Sequence, residues 1–385
     1  MLNENLSENK KLESFNRYIS ISKESYQALK NEVGKNLIGY TLGDVPRELI
    51  HAAGFNPVGV MGWSEPADEA SAYLQSFCCS LMRTTLDIGL CDASKSLSGM
   101  ILGHICDTTR DFSGIWQRHV KSDFFHDWMP PKQLNRPSAR VYLISELERL
   151  KKHLEEFSGS PISDSTLESS LNIYEQQRQL LENLKILYLE RPGLIKAQTL
   201  YTIMKAALFM KVEEFNPLLT MFLEEIKSIV PSNQMLKAPV ILAGKIPEPL
   251  EVISIIEDAG GFIADDDFLW GSRIIRQTLP DLGTPLVRIC ARFLKSEPFP
   301  GYLYENPARW DFLWGLAQER RAAGVIFWDR KFCEPYNFDY PDLKKYFTQK
   351  GIPTLSIQTE MHPSGLEQLK TRIQAFFESL TGRSL

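Results

Sequence analysis

Two short apolar runs that each empty into a cysteine do most to limit what this chain can fold into. Met100-Ile101-Leu102 reads as a buried strand and passes into GHICDTTRDFSGIW (Gly103–Trp116), which sets Cys106 beside Asp107 and continues as a helix. Gly324–Trp328 reads as a second buried strand, and Cys333 follows it in RKFCEP. In an open α/β sheet, ligands bind in the crevice beyond the carboxyl ends of the strands. A cysteine just past a strand end therefore falls where such a fold does its chemistry.

The stretches around these runs alternate in the same way. Asn36–Thr41 is a strand candidate, Pro46-Arg47-Glu48-Leu49-Ile50 opens a helix with proline in its first turn, and Pro57–Met61 is the next strand. A longer helix is expected from about Ala67 to Gly89, and the strand at 100–105 follows it. From Ala238, PVILAG, GFIAD, GVIFW and PTLSIQ repeat the strand pattern with helices between them, and GLEQLKTRIQAFFESL closes the chain. Strands alternating with helices imply parallel sheets covered on both faces.

Between the two stretches, residues 135–235 read as helical throughout. SELERLKKHLEEF starts with a capping-box pattern at Ser145 and Glu148, and Leu147, Leu150, Leu154 and Phe157 share one face, a stripe that reads as core packing. Residues 268–307 interrupt the second stretch with Pro- and Gly-containing loops, read as a lid or an interface insertion. The fold class is α/β: two Rossmann-like or flavodoxin-like lobes with parallel sheets and an intervening helical region. The divisions expected are an N-terminal helical leader at 1–35, a first α/β lobe at 36–134, the helical region at 135–236 and a second α/β lobe at 237–385.

A chain of 385 residues exceeds what one hydrophobic core usually serves. Its net charge of −5 argues against a nucleic-acid surface, which needs a basic footprint, but leaves room for a local basic pocket. The opening MLNENLSENKKLESF has no secretory pattern, and no apolar run approaches the roughly 20 residues of a membrane span. A cytoplasmic protein is expected, with no membrane partner. Six cysteines in a long intracellular chain are expected to stay reduced, most of them as small buried apolar residues.

No nucleotide fingerprint is present: there is no GxGxxG at a strand–helix turn and no GxxxxGK[ST], and Gly244-Lys245 lacks the glycine spacing that cradles phosphates. Asp265-Asp266-Asp267 could bind Mg²⁺ but reads first as an exposed acidic strand end. The six histidines show no zinc spacing and are taken as structural. Cys106 and Cys333 sit in polar strand exits rather than inside apolar runs. A soft thiolate favours an iron–sulfur cluster over a hard cation, but position alone does not select ligation over burial.

A family resemblance goes further. QSFCCSLMRTTLDIG (75–89), GHICDTTRDFSGIW (103–116) and GVIFWDRKFCEP (324–335), with PRELIHAAGFNPVGVMG (46–62) and the DDDF stretch at 265–268, together resemble the 2-hydroxyacyl-CoA dehydratase / benzoyl-CoA reductase family. The likeness is strongest to the smaller of the two non-ATPase subunits of ATP-dependent benzoyl-CoA reductase. It implies a 4Fe–4S cluster held by Cys79, Cys106 and Cys333, with Cys91 and Cys290 structural. Cys78 is set aside because the family's cysteine directly precedes the step ending at Arg83.

Glu48, in PREL, would lie near the active site and transfer protons, or else be a surface carboxylate. One departure stands out: relatives can carry a further cysteine after the first strand of the second lobe, where this chain reads AGKIPEP. The resemblance further implies a homologous cluster-bearing subunit, ATP-hydrolysing activator subunits holding ATP/Mg and a further cluster, and ferredoxin as electron donor. The substrate implied is an aryl-CoA thioester, reduced to a cyclic dienoyl-CoA. A subunit of an (R)-2-hydroxyacyl-CoA dehydratase and a cluster-free structural subunit are the competing readings.

Overall fold

The computed structural model describes residues 36–41, 45–62, 69–91, 95–229, 238–276, 279–300, 308–362 and 365–382. The leader and helix expected at 1–35 lie outside the described residues. One sheet is built from β1 (Leu37–Tyr40), β2 (Asn56–Gly59), β3 (Gly99–Gly103) and β4 (Phe124–Trp128), all parallel, in the order β2-β1-β3-β4. The other uses β5 (Ala238–Gly244), β6 (Gly261–Asp266), β7 (Gly324–Arg330) and β8 (Thr354–Thr359), in the order β6-β5-β7-β8. The same parallel pattern thus occurs twice, and the α/β expectation holds.

The central strands are buried along their whole length, as near-continuous apolar runs covered on both faces should be. In each sheet the winding reverses between the first and third strands, which opens a crevice at their carboxyl ends. Those ends are Tyr40 and Gly103 in one sheet, Gly244 and Arg330 in the other.

In the first half, α1 (Arg47–Ala52) follows β1, α2 (Ser80–Leu90) precedes β3, and α3 (Asp107–His119) follows it. Then come α4 (Pro137–Ser158), α5 (Asp164–Glu190), α6 (Ala197–Ala206) and α7 (Val212–Lys227), the helical region that periodicity implied. Leu143, Leu147, Leu150 and Leu154 of α4 are all buried, and spacings of three and four explain why one face carries them. Each such leucine contributes about 1.5–3 kcal/mol of burial free energy. In the second half, α8 (Glu251–Asp258), α9 (Ser272–Arg276), α10 (Pro285–Leu294), α11 (Ala308–Glu319), α12 (Glu334–Gln349) and α13 (Leu366–Thr381) complete the described elements.

Four local expectations need correction. The capping-box pair Ser145/Glu148 lies inside α4, which starts at Pro137 because proline is pre-organised for a first helical position. Among the described residues, the helix expected over 67–89 is a short 3₁₀ turn (Ala70–Ala72) and then α2, with Cys79 in extended conformation between them. The Ala70 N–H donates to Asp87 Oδ1 at 2.6 Å, which folds the first part back against α2 instead of letting it continue the helix. Where loops were expected over 268–307, the described residues carry α9 and α10, and α10 packs on α4 and α5, tying this insertion to the helical region. Finally, β4 has no counterpart among the expected strands.

β4 carries an unusual side chain, His126, which is 1% exposed and whose Nδ1 lies 3.0 Å from Nδ1 of His153 on α4. Burial first, then the neighbouring Arg149 charge, pushes its pKa down to about 3. The unfolded chain takes up a proton near pH 6.5, whereas the folded chain resists it. The stability linked to His126 is therefore complete above roughly pH 6.5 and drains as pH falls toward the folded value, amounting to about 2 kcal/mol by about pH 5. Urea midpoints at those two pH values should separate wild type from His126→Phe; equal pH dependence in both proteins would refute this.

Candidate functional site

Cys79, Cys106 and Cys333 hold the same structural position: each is the N-cap residue of a helix, of α2, α3 and α12 respectively. The Cys79 carbonyl accepts from the N–H groups of Met82 and Arg83 at 3.0 and 3.2 Å. At Cys106, the Thr109 hydroxyl accepts from the Cys106 N–H at 3.0 Å and donates to the Cys106 carbonyl at 2.7 Å, locking the first turn. Before Cys333, Phe332 has φ 62°, a left-handed conformation rare for an aromatic residue. That kink turns the chain out of β7, and the Cys333 N–H then reaches back to the Arg330 carbonyl at 3.1 Å. A helix N-terminus carries the positive end of the helix dipole, so each of the three cysteines stands at such an end.

The fold gathers these three positions. Cys106 leaves the carboxyl end of β3 and Cys333 that of β7, so the two crevices contribute one cysteine each. The Met361 N–H, just past β8, donates to Ser80 Oγ at 3.1 Å and brings Cys79 to the second sheet. Lys245, the residue after β5, is 3% exposed and lies within the electrostatic reach of all three thiols. Burial alone would push its pKa down, but Cys333, Cys79 and Cys106 together hold it above the ordinary lysine value. Burial pushes the Cys333 thiol up to about 12, against the pull of Lys245.

Beside the thiols is a groove of about 540 Å³ whose wall includes Cys78, Asp107, Thr108, Glu334 and Asn337, the first turns of α3 and α12. Its rim exposes Phe77, Phe332 and Phe338. Among the described residues, no three His, Cys, Asp or Glu side chains are arranged to hold a single metal ion. A cubane makes a different demand, since each thiolate binds its own iron. Three soft donors at three helix N-termini, with a buried cation within their electrostatic reach, are a donor set of the right chemistry for such a group.

Other candidates have other surroundings. All six cysteines are unbridged. Cys290 Sγ faces the Arg140 carbonyl and Cys91 Sγ the Ile88 carbonyl, both away from the helix caps named above. Glu48 is not a surface carboxylate. It is 2% exposed, and its Oε1 accepts from Arg292 at 2.7 Å and Arg178 at 3.1 Å. Burial would raise its pKa, but those two guanidiniums hold it well below the usual carboxylate range.

Asp265-Asp266-Asp267 is neither an exposed strand end nor an open cation site: all three are at most 2% exposed. Asp265 faces Lys185, Arg276 and Arg320; Asp266 accepts from Tyr201 and Ser272; Asp267 faces Arg273 and Arg309. With its oxygens already occupied by protein donors, the cluster offers Mg²⁺ no open site.

Lys245 is the residue that sequence reasoning passes over, since there it is only half of a failed phosphate loop. The signal is its place directly after β5, a strand exit like those that lead to Cys106 and Cys333.

The family profile described as 2-hydroxyglutaryl-CoA dehydratase, D-component, matches residues 43–380. The chain belongs to that family. It is 32% identical to the (R)-phenyllactyl-CoA dehydratase beta subunit of Clostridium sporogenes, over 91% of this chain and 93% of that one. It is 28% identical to a benzoyl-CoA reductase subunit of Thauera aromatica, over 90% and 91%. With the (R)-2-hydroxyglutaryl-CoA dehydratase beta subunit of Acidaminococcus fermentans the identity is 29%, over 96% and 98%. The resemblance read from the cysteine motifs is therefore correct at the level of the family, and its members include both dehydratase and reductase subunits. Among the described residues no helix is long and apolar enough to cross a membrane.

Proposed function

We propose that this chain is the iron–sulfur subunit of a multi-subunit enzyme that acts on a CoA thioester by single-electron chemistry, with Cys79, Cys106 and Cys333 as cluster ligands. The observation that carries this reading is the placement of three cysteines as helix N-caps, all within electrostatic reach of one buried lysine. A 4Fe–4S cluster held there would supply single electrons at low potential.

The chain's own residues do the rest. The three helix N-termini place positive dipole ends beside the ligand positions. Lys245 brings a fixed positive charge that offsets the thiolates' negative charge in a site where water does not. The Thr109 hydroxyl and the Arg330 carbonyl fix the backbone at Cys106 and Cys333, so the donors are positioned before anything binds. Glu48, held ionised between two guanidiniums, has no proton to give near neutral pH, and its role is to hold α1 against α5 and α10.

Two reactions fit this assignment. The first is reductive dearomatisation of benzoyl-CoA or another aryl-CoA, in concert with a homologous cluster-bearing subunit, ATP-hydrolysing activators and ferredoxin. The absence of a phosphate loop in this chain suits that division of labour. The second is dehydration of an (R)-2-hydroxyacyl-CoA, favoured by the 32% identity to a phenyllactyl-CoA dehydratase subunit. Net electron consumption separates them: a reductase consumes electrons stoichiometrically, a dehydratase only catalytically.

The test of the site itself is anaerobic iron and sulfide analysis with EPR on the chain co-expressed with its partner. Cys79→Ala, Cys106→Ala and Cys333→Ala should each remove about one cluster's worth of iron, and Cys290→Ala should remove none. Unchanged iron in all three variants would sink the ligand assignment.

A further inference from the structure

Between α1, α4, α5 and α10, at the carboxyl end of the first sheet, lies a cavity of about 80 Å³ that the reading above does not use. Its wall includes Tyr40, Arg47, Glu48, Trp128, Arg178 and Arg292. Among the described residues these set three guanidiniums against one carboxylate. Glu48 is shared by Arg178 and Arg292, and Arg178 is also paired with Glu175 outside the wall. Among the described residues, three positive charges against two carboxylates leave a surplus of one, with Arg178 and Arg292 buried and Arg47 half-buried. Arg47 donates to the Ala207 carbonyl at 3.2 Å and stacks over the Tyr174 ring. A surplus charge out of water is costly unless something compensates it.

Two further polar groups on the same wall are unsatisfied. The Tyr40 hydroxyl lies against the Arg47 guanidinium, which can only donate and so leaves the hydroxyl's own proton without an acceptor, and the Trp128 indole N–H has no partner. Buried donors are seldom left this way. An indole N–H and a guanidinium can only donate, so the cavity asks for an acceptor. Water brings protons of its own that must be placed and no charge; an anion brings acceptors and the missing charge together. The rest of the wall is apolar, with Leu143, Leu147, Ile289 and Phe293 among it.

We propose that this cavity binds a short aliphatic monocarboxylate, its oxygens taken by Arg47, Arg292, Tyr40 and Trp128 and its carbon chain set against Leu143, Leu147 and Ile289. One negative charge matches the surplus, and a carboxylate with a tail matches a wall that is part charged and part apolar. The inference does not rest on the cluster ligation proposed above.

The experiment uses the full chain co-expressed with its partner. Propionate is the probe, in thermal unfolding and in equilibrium dialysis with radiolabelled propionate, with chloride at equal ionic strength as control. A saturable rise in unfolding temperature with propionate alone, and one bound propionate per chain, are expected. Tyr40→Phe removes a hydroxyl whose only neighbour is the Arg47 guanidinium and whose proton lacks an acceptor, so the unliganded protein should unfold close to the wild-type temperature. Its propionate affinity should fall about tenfold, as for a lost hydrogen bond to a charged group. The proposal is overturned if chloride gives the same rise, if no saturable binding occurs, or if Tyr40→Phe binds propionate as wild type does. Saturable binding of inorganic phosphate without propionate would overturn the carboxylate class.

Discussion

Asp265→Asn should lower the stability of the folded chain by about 3–5 kcal/mol, the cost of leaving buried charges without their partner. One carboxylate, 2% exposed, holds three cations from distant parts of the chain: Lys185 at 2.5 Å, Arg276 at 2.7 Å and Arg320 at 3.0 Å. Asparagine keeps the shape but removes the charge, so Lys185 on α5, itself buried, faces Arg276 with no carboxylate of residue 265 between them. Burial would raise the Asp265 pKa, but Lys185 and Arg276 hold it well below the usual carboxylate range. The sign follows: the stability from Asp265 is present above its unfolded pKa of roughly 4 and is lost as pH falls through the lower folded value.

The difference between wild type and variant in urea midpoint should thus be constant at neutral pH and shrink only in strong acid. A variant within about 1 kcal/mol of wild type, the range of an ordinary surface pair, would contradict the network. If Asp265→Asn cannot be isolated, Asp265→Leu combined with Lys185→Met is the informative protein. Replacing a buried pair by apolar groups of similar volume often recovers stability.

The acidic cluster misleads sequence reasoning for a physical reason. DDD after a strand is read as solvent-facing because three like charges repel and Asp is seldom buried unpaired. The compensating cations come from positions 185, 273, 276, 309 and 320, and no local pattern ties them to residue 265. The same holds for Glu48, whose partners lie 130 and 244 residues away. By contrast, Cys106 and Cys333 are legible as site candidates because an apolar run, a polar exit and a helix start are all local signals, and the parallel sheet needs only that alternation. Cys79 is reached through the family motif alone, since the helix expected through it conceals its capping position. β4 escapes because FFHDW places a buried histidine, not an apolar residue, at its centre, which breaks the alternation that marks a strand. Lys245 escapes because lysine is rarely buried, and the thiols that act on its charge come from residues 79, 106 and 333, which no local pattern ties to residue 245.

Glu48→Gln should act on the fold before it acts on any reaction. The carboxylate is the shared counter-charge of Arg178 on α5 and Arg292 on α10, so its loss leaves two buried guanidiniums facing each other across the cavity. Removing one partner of a buried ion pair costs about 3–5 kcal/mol, and here one change unpairs two. Because Arg292 belongs to the insertion that packs on the helical region, the loss should appear as lower resistance of that segment to hydrogen exchange, centred on α10, as well as a lower urea midpoint. A proton-transferring glutamate makes a different prediction: Glu48→Gln would keep wild-type stability, while turnover of the assembled enzyme would fall and its pH profile would change. The cycle of Glu48→Gln, Arg292→Met and the double variant decides between them. Coupling of more than about 1.5 kcal/mol in stability, the range seen for close charge pairs, is expected from the ion-pair role. Additive stabilities with an altered pH profile would instead assign Glu48 to proton transfer.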